Sequence, residues 1–284
     1  MKTSLNFYKN RELLIVTKHN KEKIIAPLFE NEFDVKCFLS KKFDTDSLGT
    51  FSGEIPRKSD PLETLRQKCL QAMQLEGFDL AIATEGSFGN HPSVFFATAN
   101  DELILLMDKK NNMEIVERVL SLETNFYAQE IHSKDALVSF LEKVQFPSHG
   151  IIIKDKEKDW KRIEKGIVDF ETIESYYEAF SKNGNSCFVE TDMRASYNPT
   201  RMKVIKDVSL KLIDKINSLC PHCNSPGFGV FSAQPGLLCN SCAKPTKSTV
   251  AHIYKCLRCL HEEKRLHPNG KLTENPMYCD FCNP

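Results

Sequence analysis

At 284 residues the chain is about twice the common size of a domain, and its 41% hydrophobic and 27% charged residues are ordinary globular composition. Two folded units are therefore expected, and disorder and fibrous repeats are excluded. Thirty-eight basic against 38 acidic residues leave a formal charge of +0, so no chain-wide field draws the protein to nucleic acid or an anionic membrane, and any such binding must be local. No run reaches the ~18 apolar residues of a membrane span, and the opening MKTSLNFYKNRELLIV, interrupted by Lys9, Arg11 and Glu12, lacks the apolar core of a signal peptide. No membrane partner and a cytoplasmic location are expected.

In chain order, strand-like apolar runs lie at residues 13–17, 33–39, 79–84, 102–108, 113–122 and 150–154, and helical patterns at 61–76, 134–145 and 157–180. In the first helical pattern Leu62, Leu65, Cys69, Ala72 and Met73 recur at helical spacing behind Asp60-Pro61, a capping residue followed by a proline suited to the first turn. Residues 108–112 read as a hairpin turn between two strands, so the sheet includes an antiparallel pair. Together these predict an α/β domain over 1–185, built as a mixed sheet with flanking helices. Residues 181–186 read as a linker. They lead into a connecting segment over 186–219, with a strand at 187–191 and a helix opening at Asn198-Pro199-Thr200 that lines up Met202, Ile205, Val208, Leu212, Ile216 and Leu219.

Residues 220–284 hold eight of the 11 cysteines as four Cys-x-x-Cys pairs, Cys220/Cys223, Cys239/Cys242, Cys256/Cys259 and Cys279/Cys282. A pair spaced by two residues aims both thiolates at one point, and two pairs complete the tetrahedral shell of Zn²⁺. Two structural zinc ions are expected, closed by four thiolates each. Consecutive pairing of the knuckles fits the spacing of a tandem double zinc ribbon and is the expected arrangement. Interleaved pairing, first with third and second with fourth, is sterically open as well. His222, His252, His261 and His267 read as surface residues. Seven Lys/Arg against four Asp/Glu give this module +3, which two Zn(Cys)₄ centres at −2 each bring to near −1. A strong phosphate footprint is therefore not expected. Protein contact is favoured at least as much as nucleic acid at the strip from Arg258 to Arg265.

Three polar segments upstream carry candidate chemistry. Thr17-Lys-His-Asn-Lys-Glu-Lys23 follows a buried strand and precedes a helix, where backbone N–H groups and lysine heads converge on anions, with Lys18, Asn20 and Lys23 as candidates. Residues 44–57 form a long loop with carboxylates at Asp44, Asp46 and Glu54. Glu85-Gly86-Ser-Phe-Gly-Asn-His-Pro92 lies just beyond the strand at 79–84, in the crevice past the carboxyl ends of strands where α/β proteins bind ligands.

The words TKHNKEK, DTDSLGTFSGEIPR, ATEGSFGNHP and TDMRASYNPTRM and the closing knuckles resemble a bacterial domain family of unknown function that ends in paired zinc ribbons. Over residues 13–122 the order of features is also similar to the inosine triphosphate pyrophosphatase superfamily. That resemblance implies nucleotide binding and Mg²⁺-dependent cleavage of a nucleoside triphosphate to monophosphate and diphosphate. Lys18, Asn20, Lys23, Lys68 and Gly86 would hold the phosphates. Glu85 would hold the metal, joined by Asp46 or Asp108, and Glu54 or Glu85 would orient the attacking water. The first turn has an extra residue between Thr17 and Asn20, and the second glycine falls at Gly89, both departures from the superfamily pattern. The alternative is a non-enzymatic zinc-ribbon adaptor for protein or nucleic acid.

Overall fold

The computed structural model describes residues 5–48, 60–94, 96–158, 160–182 and 186–284. The chain divides into two compact units, residues 10–212 and residues 1–9 with 213–284. The larger is an α/β unit with two sheets.

Its first sheet has the order β2-β1-β3-β4-β5, from β1 (Glu12–Val16), β2 (Lys36–Leu39), β3 (Leu80–Asn90), β4 (Thr98–Asp108) and β5 (Met113–Ser121). β1 runs parallel to β2 and β3, and β4 and β5 continue as antiparallel neighbours, so the sheet is mixed as expected. Helix α1 (Leu5–Tyr8) precedes β1, and α2 (Glu22–Phe33) crosses from β1 to β2 and buries Ile25, Phe29 and Phe33. Pro27 lies inside α2, beyond its first turn. Helix α3 (Pro61–Glu76) starts where the sequence places it, with the Asp60 carboxylate accepting the N–H groups of Leu62 and Glu63. Its predicted stripe, Leu65, Cys69, Ala72 and Met73, packs on Leu14, Val16, Ala81 and Ala83.

The second sheet has the order β6-β9-β7-β8, all antiparallel, from β6 (Ala128–Ile131), β7 (Ile151–Lys154), β8 (Ile163–Ile167) and β9 (Cys187–Thr191). Helices α4 (Lys134–Lys143) and α5 (Phe170–Phe180) pack on it around Phe140, Ile151, Ile153, Ile173 and Val189. The helix predicted over 157–180 is in fact β8 followed by α5. Gly166 takes a left-handed φ of 71° and Asp169 caps the new helix through the Thr172 N–H, which ends the periodic run. The strand at 187–191, assigned from sequence to the connecting segment, pairs with β6 and β7 inside this sheet.

The second difference lies in β3. The glycine-bearing stretch read as a loop after residue 84 is strand as far as Asn90, because β4 pairs with it residue by residue, Glu85 with Leu103, Gly86 with Glu102 and Phe88 with Asn100. An antiparallel partner supplies the ladder that glycine's own propensity withholds.

Helix α6 (Pro199–Asn217) leads into the smaller unit, where β10 (Gly229–Pro235), β11 (Thr249–Lys255) and β12 (Glu262–Leu266) form a three-stranded antiparallel sheet between cysteine knuckles. Its buried cluster is small: Cys220, Phe228 and Cys256, with Cys223, Tyr254 and Cys259 against them. Among the described residues no helix is long and apolar enough to cross a membrane.

Candidate functional site

The knuckles repeat one local fold. The N–H of the residue after each second cysteine donates to the carbonyl of the first, Asn224 to Cys220, Ala243 to Cys239, Leu260 to Cys256 and Asn283 to Cys279, at 2.8–3.0 Å. Asn224, Ala243 and Leu260 adopt left-handed φ of 55–61° to make that turn. The thiols then gather in two tetrads, Cys220, Cys223, Cys256 and Cys259 in one and Cys239, Cys242, Cys279 and Cys282 in the other, each with its sulfurs within 4.8 Å of one another. This corrects the expected consecutive pairing, since the first knuckle joins the third and the second joins the fourth. The strands between knuckles carry each partner past its neighbour, a result spacing alone leaves open. Cross-knuckle Sγ–Sγ distances are 3.6–3.9 Å, against about 3.8 Å for the edge of a tetrahedron with 2.3 Å metal–sulfur bonds and about 2 Å for a disulfide. Each tetrad could hold one metal ion. The Ser225 hydroxyl, hydrogen-bonded to Cys223, draws that thiol down to about 6, and the backbone N–H of Cys242 draws Cys239 to about 7. Both shifts favour the thiolate a metal requires, while Cys259 and Cys282 in the same tetrads are pushed up to about 12 by their neighbouring thiols and burial.

In the larger unit the polar groups converge where β1 stops. Its last pairing to β3 is Val16 with Ala83, so Thr84, Glu85 and Gly86 of β3 run on past the carboxyl end of β1. His19 and Asn20, at left-handed φ of 65° and 63°, turn the chain after β1 sharply back. Lys21 is thereby buried and donates to the Thr84 hydroxyl at 3.0 Å. From α3, Lys68 donates to Glu85 Oε2 at 2.5 Å and lies 3.5 Å from the Thr84 carbonyl. From α6, Arg201 Nε donates to Glu102 Oε1 at 2.6 Å and Nη1 to the Met193 carbonyl at 2.6 Å, with its guanidinium carbon 5.0 Å from the Phe88 ring centroid. A Cβ on Gly86 would fall 2.3 Å from both Arg201 Nη2 and Glu102 Oε1. Only glycine admits this approach.

Three cations thus stand over two carboxylates. All five residues are at most 9% exposed, so the charges are desolvated and the balance between them matters. Lys21 yields first: burial, seconded by the Arg201 charge, lowers it to about 7. A proton is therefore gained or lost there near neutrality, at the carboxyl edge where α/β sheets take ligands.

Of the residues singled out in the sequence, the structure brings Lys68, Glu85 and Gly86 together. Lys18 stands outside the cluster, paired with Asp44 at 2.5 Å, and Asn20 and Lys23 are exposed. Asp46 lies in a short 3₁₀ turn, Thr45–Leu48, its side chain outside the described set, and Glu54 lies outside the described residues. Asp108 sits at the far end of β4, where Arg11 holds it at 2.6 Å. That removes it as a partner for Glu85. Sequence reasoning missed Lys21, Glu102 and Arg201. The last carried a signal, a basic residue in the first turn of a helix, against the dipole.

The chain's affiliation follows the same stretch of sequence. A family model matches residues 68–284, from Lys68 in α3 through both tetrads. The chain belongs to the family described as a domain of unknown function, DUF6671. Lys68, Glu85, Gly86, Glu102 and Arg201 lie inside the DUF6671 match, and Lys21 precedes it. No curated protein and no solved structure matches the chain.

Proposed function

We propose that the larger unit binds a nucleoside triphosphate at the carboxyl edge of β1 and acts as a metal-dependent pyrophosphohydrolase, while the two thiol tetrads hold structural zinc. The observation that carries this reading is the convergence of Lys21, Lys68 and Glu85 around Thr84. With Arg201 beside them they form a cationic cluster in which Lys21, lowered to about 7, gains charge when a phosphate arrives. Lys68 and Lys21 hold the phosphate tail, with Lys18, Asn20 and Lys23 on the preceding turn as outer contacts. Phosphate drawn to Lys68 loosens its ion pair and releases the Glu85 carboxylate. Glu85 fits a hard cation, with Asp46 or Glu54 from the following loop as further oxygen donors, and bound Mg²⁺ would neutralise the phosphate oxygens and polarise phosphorus. A carboxylate, Glu54 or Glu85, orients the water. Four thiolates close each zinc site, leaving it a scaffold without an open position.

The test is incubation of the full chain with a panel of nucleoside triphosphates and Mg²⁺. Diphosphate release is expected, abolished in Glu85→Gln at a temperature where circular dichroism shows the variant folded. No release and no nucleotide binding by calorimetry would discard the reading. One observation favours a second role for the smaller unit, as a docking part for another protein: Phe231, Leu257, Leu260, Leu272 and Phe281 are each 59–72% exposed, apolar side chains that a partner would cover. Recovery of a stable protein complex through residues 213–284, without turnover of any nucleotide, would make the chain an adaptor. Nucleic-acid binding that survives about 0.2 M salt would place that contact on nucleic acid.

A further inference from the structure

Next to the cationic cluster, three buried polar atoms have no hydrogen-bond partner among the described residues: Oδ1 and Nδ2 of Asn100, and Oε2 of Glu102. Both residues are 0% exposed. They are two apart on β4 and so share a face, opposite Phe88 and Gly86 of β3. Folded interiors leave very few such atoms unpaired, and here three fall within three residues of one strand. Glu102 is already fixed through its other oxygen by Arg201, and Phe88, 5.8 Å from Phe126, supplies an apolar wall. Lys21, Lys68 and Glu85, in the adjoining cluster, retain 7–9% exposure.

The inventory of these atoms is two acceptors and one donor, and flipping the Asn100 amide leaves it unchanged. A ligand edge that satisfies all three carries two N–H donors and one acceptor on a rigid frame. Among nucleobases the 2-amino-6-oxopurine edge does so through O6, N1–H and the 2-amino group. Hypoxanthine lacks the amino donor, adenine offers one donor group beside its N1 acceptor, cytosine offers one donor group beside two acceptors, and uracil one donor between two acceptors. We propose that Asn100 and Glu102 form a base-reading subsite for guanine, in line with the phosphate-binding edge at Lys21 and Lys68; the identity of the ligand as a nucleotide rests on the function proposed above. Glu102 Oε2 accepts from the 2-amino group in a charge-assisted bond, Asn100 Oδ1 accepts from N1–H, and Asn100 Nδ2 donates to O6.

The experiment is calorimetric titration of the full, metal-loaded chain with Mg²⁺ and non-hydrolysable analogues of guanosine, inosine, adenosine and cytidine triphosphate, alongside inorganic tripolyphosphate and free guanosine. The guanosine analogue is expected to bind about tenfold more tightly than the inosine analogue, and on the order of a hundredfold more tightly than the other two. Glu102→Gln and Asn100→Leu, each checked for its melting temperature, are expected to bring the guanosine-to-inosine ratio close to one. Equal affinity for all four analogues overturns the subsite and leaves phosphate binding standing. Asn100→Leu with a raised melting temperature and unaltered guanosine affinity overturns it too. Guanosine bound by the native chain and not by Asn100→Leu, with tripolyphosphate unbound, supports the subsite and removes the phosphate reading. Binding of none of the six probes overturns both.

Discussion

The two units reach stability by different means. Residues 10–212 bury whole aliphatic layers, Leu14, Val16, Leu65 and Ala81 in one cluster and Phe140, Ile151, Ile153 and Val189 in another. The cysteine unit buries only scattered apolar residues, Ile216, Leu237 and Ala251 among them, beside a small cluster of Phe228 and thiols, and its strand β10 is exposed from Val230 to Pro235. In a unit with so small an apolar core, metal held by the two tetrads would supply the free energy that burial supplies elsewhere. The larger unit can accordingly keep desolvated charges at its β1 edge, because its core offsets their cost. The smaller one has no such reserve.

The largest effects test that contrast at the cysteines. Structural metal contributes on the order of 10 kcal/mol in small domains, so chelation is expected to melt the cysteine unit while the α/β unit keeps its circular dichroism. The pairing has its own test in Cys223→Ser/Cys256→Ser. Elemental analysis should find one ion retained per chain, because both changes strike one tetrad. Consecutive pairing would lose both ions.

Within the α/β unit, Lys68→Met or Glu85→Leu alone strands a buried partner and should cost about 3–5 kcal/mol in denaturant melts. The double variant should recover much of that loss, and additive losses would mean the two side chains do not interact. Gly86→Ala follows, at roughly 1–3 kcal/mol, through the clash with Arg201 and Glu102.

Lys21 carries the pH dependence. Its folded value of about 7 lies below the ordinary lysine value of 10.5, so between those limits the unfolded chain holds the extra proton. Folding therefore gains stability as pH rises from 7 toward 10.5, by up to about 1.4 kcal/mol per pH unit, and the penalty stands in full below pH 7. Lys21→Met should flatten that slope, and an unchanged slope would place the titration elsewhere. At the small end, Lys247→Ala removes an exposed pair with Asp280 and should leave the melting temperature unmoved.

Much of this was legible from local pattern. Asp60-Pro61 and the stripe through Leu65, Cys69 and Met73 announced α3 because capping and helical period are properties of neighbours in sequence. Glu85 stood out at the end of a buried run, whereas Lys68 was singled out only by the resemblance to the pyrophosphatase superfamily. Lys21 was hidden among the lysines at 18 and 23, which look alike in a sequence. The left-handed residues His19 and Asn20 accompany its burial and cannot be read from composition. Glu102 and Arg201 lie 99 residues apart, and no spacing rule joins them. The stretch from Glu85 to Asn90 read as loop because glycine weakens a lone strand, and only β4 beside it reverses that judgement.

By itself, the sequence settled the chemistry that short range controls: eight thiols in four knuckles, hence two tetrahedral sites, and an alternation of strand and amphipathic helix upstream. The tertiary structure alone decided which knuckles meet, which lysine is buried, and which carboxylate an arginine from a distant helix neutralises. Those choices depend on the strands that carry one segment past another, and so on packing between residues that the chain itself keeps far apart.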